Sequence, residues 1–236
     1  MTQRPAFDSH ADAYETQLNH GLQISGESKE FFARGRIEFV RRWWELNARA
    51  QPRRIIDYGC GVGDVTALLA EFFPSSQVIG LDPSPRCVAR AAARYTADRV
   101  HFDVLQGLEA HGTERADLVH VNGVVHHVRR EARPGLFRAV AAAVAPGGVV
   151  ALFENNPLNP GVHLVMARIE FDRDAVKVPP WEAGRRLRVA GLRPVETHYL
   201  FYFPRSLRAL RPLERRLARL PFGAQYGIIA INPVGS

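Results

Sequence analysis

The chain is poor in the residues that build disulfide or metal scaffolds. It has two cysteines in 236 residues, Cys60 and Cys87, too few for a disulfide framework, and they have no neighbours at metal-ligand spacing. No apolar run is long enough to span a bilayer. The stretch from Met1 to Asn19 is polar, which argues against a secretory leader. Lysine is rare beside arginine, so the formal net charge of +7 and the pI near 10.0 are carried by guanidinium groups. Neither internal repeats nor low-complexity tracts occur. These absences exclude a secreted disulfide scaffold, a zinc module and a membrane span. They point to a cytoplasmic chain of one domain with embellishments, and 46% hydrophobic residues supply its core.

The most informative stretch runs from Arg53 through Ile55-Ile56-Asp57-Tyr58-Gly59-Cys60-Gly61-Val62-Gly63-Asp64 and on to Phe73. It reads as strand, glycine turn, helix. The β-branched pair Ile55 and Ile56 suits a buried parallel strand, while Val65, Leu68, Leu69 and Phe72 recur at helical spacing. Glycines at 59, 61 and 63 let a ligand lie against the backbone and let the first helical N–H groups face its negative end. A dinucleotide turn is spaced G-x-G-x-x-G, whereas this one is G-x-G-x-G with Asp57 in front. A carboxylate there repels pyrophosphate and suits a ligand carrying an ammonium group.

A second acid follows. Val78-Ile79-Gly80-Leu81-Asp82-Pro83-Ser84 reads as the next parallel strand, ending in an acid that can accept from both ribose hydroxyls, before a helix over Pro85 to Tyr95. The pair Asp-x-Gly-x-Gly-x-Gly and Gly-Leu-Asp-Pro-Ser resembles motif I and the acidic strand-two motif of class I S-adenosylmethionine-dependent methyltransferases. The resemblance covers about Arg53 to Phe153. Val100-His101-Phe102-Asp103-Val104 resembles the third strand, with Phe-Asp where the family usually has Gly-Asp. Asp117 to Asn122 resembles the fourth strand, leading into the loop Gly123-Val124-Val125-His126-His127-Val128. Ala145-Pro146-Gly147-Gly148 resembles the turn before strand five, Val149 to Glu154.

The resemblance implies a doubly wound, Rossmann-like α/β fold with a seven-stranded sheet of order 3-2-1-4-5-7-6, strand 7 antiparallel. It implies S-adenosyl-L-methionine as cofactor and no metal. Cofactor contacts are expected from Asp57, Gly59, Cys60, Gly61, Gly63, Asp82, Pro83, Ser84, Asp103, Val104 and Asn122. Residues 1–50 form a helical cap in this reading, with helices around Phe7 to Tyr14 and over Glu30 to Leu46; residues 51–236 form the core. Phe7 and Tyr14 either close over the sulfonium or acceptor, or hold the cap down through one helical face.

The acceptor side is read from the remaining landmarks. An imidazole at the end of strand four can take a proton at neutral pH, so His127 and His126 are the candidate bases, with Glu154 as an acceptor contact. One of the two histidines equally suits a cap or packing role. His163, His198 and Tyr226 are lesser candidates. The loop Glu154-Asn155-Asn156-Pro157-Leu158-Asn159-Pro160 follows a strand's carboxyl end; its amides either orient a polar acceptor or satisfy local backbone. Helices are expected over His163 to Arg168 and Pro180 to Ala190, and strands over Leu192 to Phe203 and Gly223 to Ile231.

Between those strands, Pro204 to Pro221 is basic and amphipathic, interrupted by Pro212. Its arginines and leucines suit a solvated face over leucines packed on the core, a membrane surface or lipid-linked acceptor, or a nucleic-acid footprint. Because no aromatics interleave with the arginines, nucleic acid is not expected as a partner. The expectation is methyl transfer by in-line displacement to a small-molecule acceptor, foremost a hydroxyl oxygen of a secondary metabolite, sugar or lipid-linked glycan, by a monomer or homodimer. The alternatives are transfer to carbon, nitrogen or carboxylate, and a cofactor-binding protein of the same fold without transferase activity.

Overall fold

A computed structural model of the chain describes residues 22–105, 114–169 and 175–234. The segment carrying Phe7 and Tyr14 lies outside the described residues. Helix α1 (Lys29–Leu46) precedes a regular alternation: β1 (Arg54–Tyr58), α2 (Asp64–Phe72), β2 (Gln77–Asp82), α3 (Pro85–Tyr95), β3 (Val100–Val104), β4 (Ala116–Asn122), α4 (Arg133–Ala143) and β5 (Val144–Asn155). Then come α5 (Pro160–Arg168), α6 (Pro180–Val189), β6 (Arg193–Leu200), a 3₁₀ segment (Arg205–Leu213), the short α7 (Glu214–Leu217) and β7 (Gln225–Ile231).

The seven strands form one sheet of order β3-β2-β1-β4-β5-β7-β6. Strands β1 to β5 pair in parallel, and β7 runs antiparallel to both β5 and β6, as the sequence predicts. Strand alternation builds two apolar layers. Val119, Val121, Val150, Leu152 and Ile228 face α4 and α6 through Phe137, Val140, Ala183 and Leu187. Their strand neighbours Leu118, Ala151, Phe153 and Ile229 face α1 and α2 through Ile37, Val40, Trp43, Leu69 and Phe73. A sheet covered on both faces explains why the strands read as continuous apolar runs.

Three local features extend the sequence reading. First, β5 begins at Val144: Val144 pairs with Ala116, and regular pairing resumes at Leu118 with Val149. The Pro146-Gly147-Gly148 run is therefore an irregularity within the strand. Gly147 takes a left-handed φ of 76° while its N–H donates to Asn232 O.

Second, the 204–221 segment does not pack its leucines on the core. Leu207, Leu210, Leu213 and Leu220 are 40–46% exposed. Half of the segment, Arg205–Leu213, is 3₁₀ with a kink at Leu207 and Pro212 inside it, and Leu207, Leu210 and Leu213 all turn outward. Its anchors are polar: Tyr202 OH donates to Leu217 O and Leu220 O, Tyr202 and Phe203 N–H donate to Glu214, and Arg211 pairs with Glu27.

Third, Phe102 replaces the glycine common in the family because two other glycines make room for it. A Cβ on Gly80 would lie 2.6 Å from the Phe102 ring, and one on Gly63 would lie 2.8 Å from it. Gly80→Ala is therefore expected to destabilise the fold by about 1–3 kcal/mol through overpacking. Phe102→Ala in the same chain should recover part of that loss in a double-mutant cycle of thermal unfolding. Strict additivity of the two substitutions would contradict this packing.

Candidate active site

The strand ends β1, β4 and β5 converge where the strand order turns from descending to ascending, the place at which open α/β sheets hold ligands. Three glycines of the turn after β1 have left-handed backbones: Gly59 (φ 81°), Gly61 (54°) and Gly63 (88°). A Cβ on Gly59 would strike Val124 at 2.4 Å, whereas one on Gly61 would meet no atom within 4 Å. Gly61 therefore leaves an open cradle on the ligand side. Lys29 from α1 and Tyr95 from α3 both reach Asp64 at the start of α2, tying the cap helix to the turn.

The motif I acid is firmly held. Asp57 is 2% exposed; its Oδ2 accepts from Thr66 Oγ1 at 2.7 Å, and its Oδ1 lies 3.1 Å from His120 Nδ1. Asp82 organises the other side of the turn: Oδ2 accepts from Gly61 N–H at 2.8 Å and Oδ1 from Ser84 N–H at 2.9 Å. Ser84 in turn caps α3 by accepting from Cys87 N–H, with Pro85 at the first helical position.

The loop after β4 is fixed by Glu154 at the end of β5. Glu154 is 1% exposed; one oxygen accepts from Val125 N–H at 2.7 Å and the other meets His126 Nδ1 at 2.5 Å. Behind them the wholly buried Arg133 donates to Val128 O and Val176 O, and Val176 N–H donates to His126 O. The His126 and His127 rings lie 4.0 Å apart.

A cavity of about 750 Å³ opens over these elements. It brings together Asp57, Gly59, Cys60, Gly61, Asn122, His126, His127 and Glu154 of the sequence-predicted residues. Gly63, Asp82, Pro83, Ser84, Asp103 and Val104 do not line it. The acids and their neighbours among them sit at the carboxyl ends of β2 and β3, where Leu81 pairs with Asp103 and Asp82 with Val104. Asp103 turns its carboxylate onto the N–H of Val104. His163, His198 and Tyr226 lie off the cavity. Each is engaged elsewhere, with Pro157 O, Glu196 and Val178 O respectively.

The asparagine loop divides between its two readings. Asn156 donates to Pro221 O and Gly223 O, and Asn159 caps α5 while donating to Phe222 O. Asn155 and Asn159 both line the cavity, and Asn155 accepts from Gln225.

Sequence reasoning missed His120, Thr66 and Arg36. His120 and Thr66 are spread over separate elements and meet only at Asp57. Arg36 did leave a signal: it falls on the apolar stripe Ala33, Ile37, Val40, Trp43 and Trp44 of α1, where a cation is out of place unless it serves a site.

A profile of the family described as a methyltransferase domain matches residues 32–211. The chain is 33% identical over 183 residues to trans-aconitate 2-methyltransferase of Acidovorax sp. (strain JS42), covering 75% of this chain and 67% of that protein. Among solved structures it resembles a SAM-dependent methyltransferase from Archaeoglobus fulgidus, with a TM-score of 0.59 and 19% identity over 83% of this chain and 94% of the other. It also resembles magnesium protoporphyrin IX methyltransferase of Synechocystis with bound S-adenosylhomocysteine, with a TM-score of 0.58 and 15% identity over 98% and 90% of the two chains. The chain belongs to the methyltransferase family, in its S-adenosylmethionine-dependent class I form. The open cradle at Gly61 and the two strand-end acids fit that cofactor.

Asp82→Ala should weaken S-adenosylmethionine binding by about 1.5–3 kcal/mol in calorimetric titration, the cost of a charged hydrogen bond. Unchanged affinity would remove Asp82 from the site. Cys60 lines the cavity, but burial, with Asp57 and Asp82 nearby, holds its thiol far above the usual range. Since only the thiolate is nucleophilic, Cys60 should resist iodoacetamide at pH 8 in the folded protein and react once the protein is denatured. Rapid native labelling, read by peptide mass, would contradict this.

Proposed function

We propose that the protein transfers a methyl group to a hydroxyl oxygen of a small organic acceptor, with His126 taking the proton and Glu154 orienting it. The buried Glu154–His126 pair on the cavity wall carries this reading. With Nδ1 donating to the carboxylate, the imidazole lone pair is on Nε2, and Glu154 stabilises the imidazolium that forms. His127, its ring tilted against that of His126, shapes the adjoining wall. Bound S-adenosylmethionine supplies an electrophilic methyl carbon on a sulfonium. His126, its ring held by Glu154, would take the proton that the acceptor hydroxyl loses on methylation. Asp57, Gly59, Gly61 and Asn122 would hold the amino-acid end of the cofactor, and Asp82, Ser84, Asp103 and Val104 its nucleoside end. Alignment within a closed cavity supplies most of the barrier reduction, up to about 7–11 kcal/mol in favourable cases.

A second reading, transfer to a carboxylate, is favoured by the relatives named trans-aconitate 2-methyltransferase, since aconitate is a tricarboxylate. A carboxylate is already ionised and needs no base, so the pH profile separates the two. Under the hydroxyl reading, His126→Gln lowers kcat roughly 10²–10⁴-fold and abolishes the acid limb of the kcat profile, while affinity for S-adenosylhomocysteine is retained. Near-normal turnover in His126→Gln would favour the carboxylate. Glu154→Gln should act in the same direction more weakly, because a neutral amide still orients the ring but stabilises its cation less.

A further inference from the structure

The stretch 204–222 is held in place by polar groups and shows its apolar ones to solvent. Leu207, Leu210, Leu213 and Leu220 are 40–46% exposed, and Phe222 is 63% exposed. Single exposed leucines are ordinary on a protein surface, whereas large apolar side chains gathered in one short stretch mark a contact surface. Arg205, Arg208, Arg215, Arg216 and Arg219 are exposed among them, and none of the five forms a salt bridge among the described residues. The single acid of the stretch, Glu214, is taken by the N–H groups of Tyr202 and Phe203.

Two demands narrow the partner. Positive charge at this density is complemented by an array of anions, and the leucines with Phe222 need an apolar medium. A bilayer with anionic headgroups meets both, because guanidinium groups pair with phosphates while leucine and phenylalanine side chains enter the acyl boundary. A nucleic acid meets the first demand alone: its bases stack on aromatic rings, and Phe222 is the one aromatic residue of the stretch.

The stretch is also joined to the cavity. Pro204 itself lines it, and Asn159, another lining residue, donates to Phe222 O. Between those ends Arg211 reaches Glu27 at 2.7 Å and lies 4.4 Å over the ring of Phe31, both of which line the cavity. Ile24, on the same rim, is 41% exposed.

We propose that 204–222 docks the protein on an anionic lipid bilayer and brings the cavity rim to the lipid surface. Docking is independent of which acceptor atom is methylated, and it is read without turnover.

The test is flotation of the full chain with vesicles of phosphatidylcholine alone and of phosphatidylcholine mixed with phosphatidylglycerol, over a range of salt. Binding is expected to the mixed vesicles, with little to phosphatidylcholine alone, and it should weaken without vanishing as salt rises. Arg208→Gln/Arg215→Gln/Arg219→Gln should weaken it roughly a hundredfold, about fivefold for each arginine near an anionic surface. Removing the same charge from exposed arginines of α1, α4 and α6, as Arg42→Gln/Arg138→Gln/Arg185→Gln, should leave it nearly unchanged. Leu210→Ser/Leu213→Ser should weaken it about tenfold and let salt abolish the remainder. Unchanged thermal unfolding shows that each variant is folded. Absence of binding to the mixed vesicles, equal binding to both vesicle types, equal losses in the two arginine triples, or full binding by the leucine variant would each overturn the proposal. Tighter binding of a single-stranded oligonucleotide than of mixed vesicles at matched salt, lost in the first arginine triple, would overturn it too and assign the stretch to nucleic acid.

Discussion

A single buried carboxylate, Glu154, organises the β4–β5 side of the cavity. It sits at the last inward position of β5, and its two oxygens meet a backbone N–H and an imidazole from the loop after β4. An unpaired carboxylate at 1% exposure would be very costly, so the loop has little freedom to move away. The demand is mutual. Glu154 needs Val125 and His126 in order to be buried, and those residues need Glu154 in order to stay ordered over the sheet's carboxyl edge. Arg133 closes the arrangement from behind by accepting no freedom in Val128 or Val176.

Asp57 plays the equivalent part at the end of β1. Its partners, Thr66 and His120, come from α2 and β4, so the acid at the end of β1 also joins three elements. Both sides use the same device, a strand-end carboxylate whose hydrogen bonds are supplied by neighbouring elements. The glycine turn lies between them, and Gly61 donates its own N–H to Asp82 while its Cα faces open space.

The strand–turn–helix units and both strand-end acids were legible in short-range pattern (β-branched runs, glycine spacing, an acid after each of the first two strands), whereas the strand order followed only from the resemblance that those motifs carry. The asparagine loop was half legible, since Asn156 serves the backbone, Asn155 faces the cavity and Asn159 does both. What could not be read depends on contacts between distant elements. Arg36 meets Gln225 across 189 positions, and His120 looks like any polar residue in β4 until Asp57 is placed beside it. The leucines of 204–221 were left open in the sequence because helical spacing alone does not say which face turns inward; in the structure Leu207, Leu210, Leu213 and Leu220 turn outward.

The protonation pattern of His126 tests the central claim most directly. Long-range ¹H–¹⁵N correlation spectra of the imidazoles, assigned by comparison with His126→Gln and recorded with S-adenosylhomocysteine bound, distinguish the two neutral tautomers. At neutral pH a proton on Nδ1 and a bare Nε2 are expected, the state in which Glu154 accepts and the ring can take a proton from the acceptor. A proton on Nε2 with Nδ1 bare would contradict the pairing and, with it, the role of His126 as base.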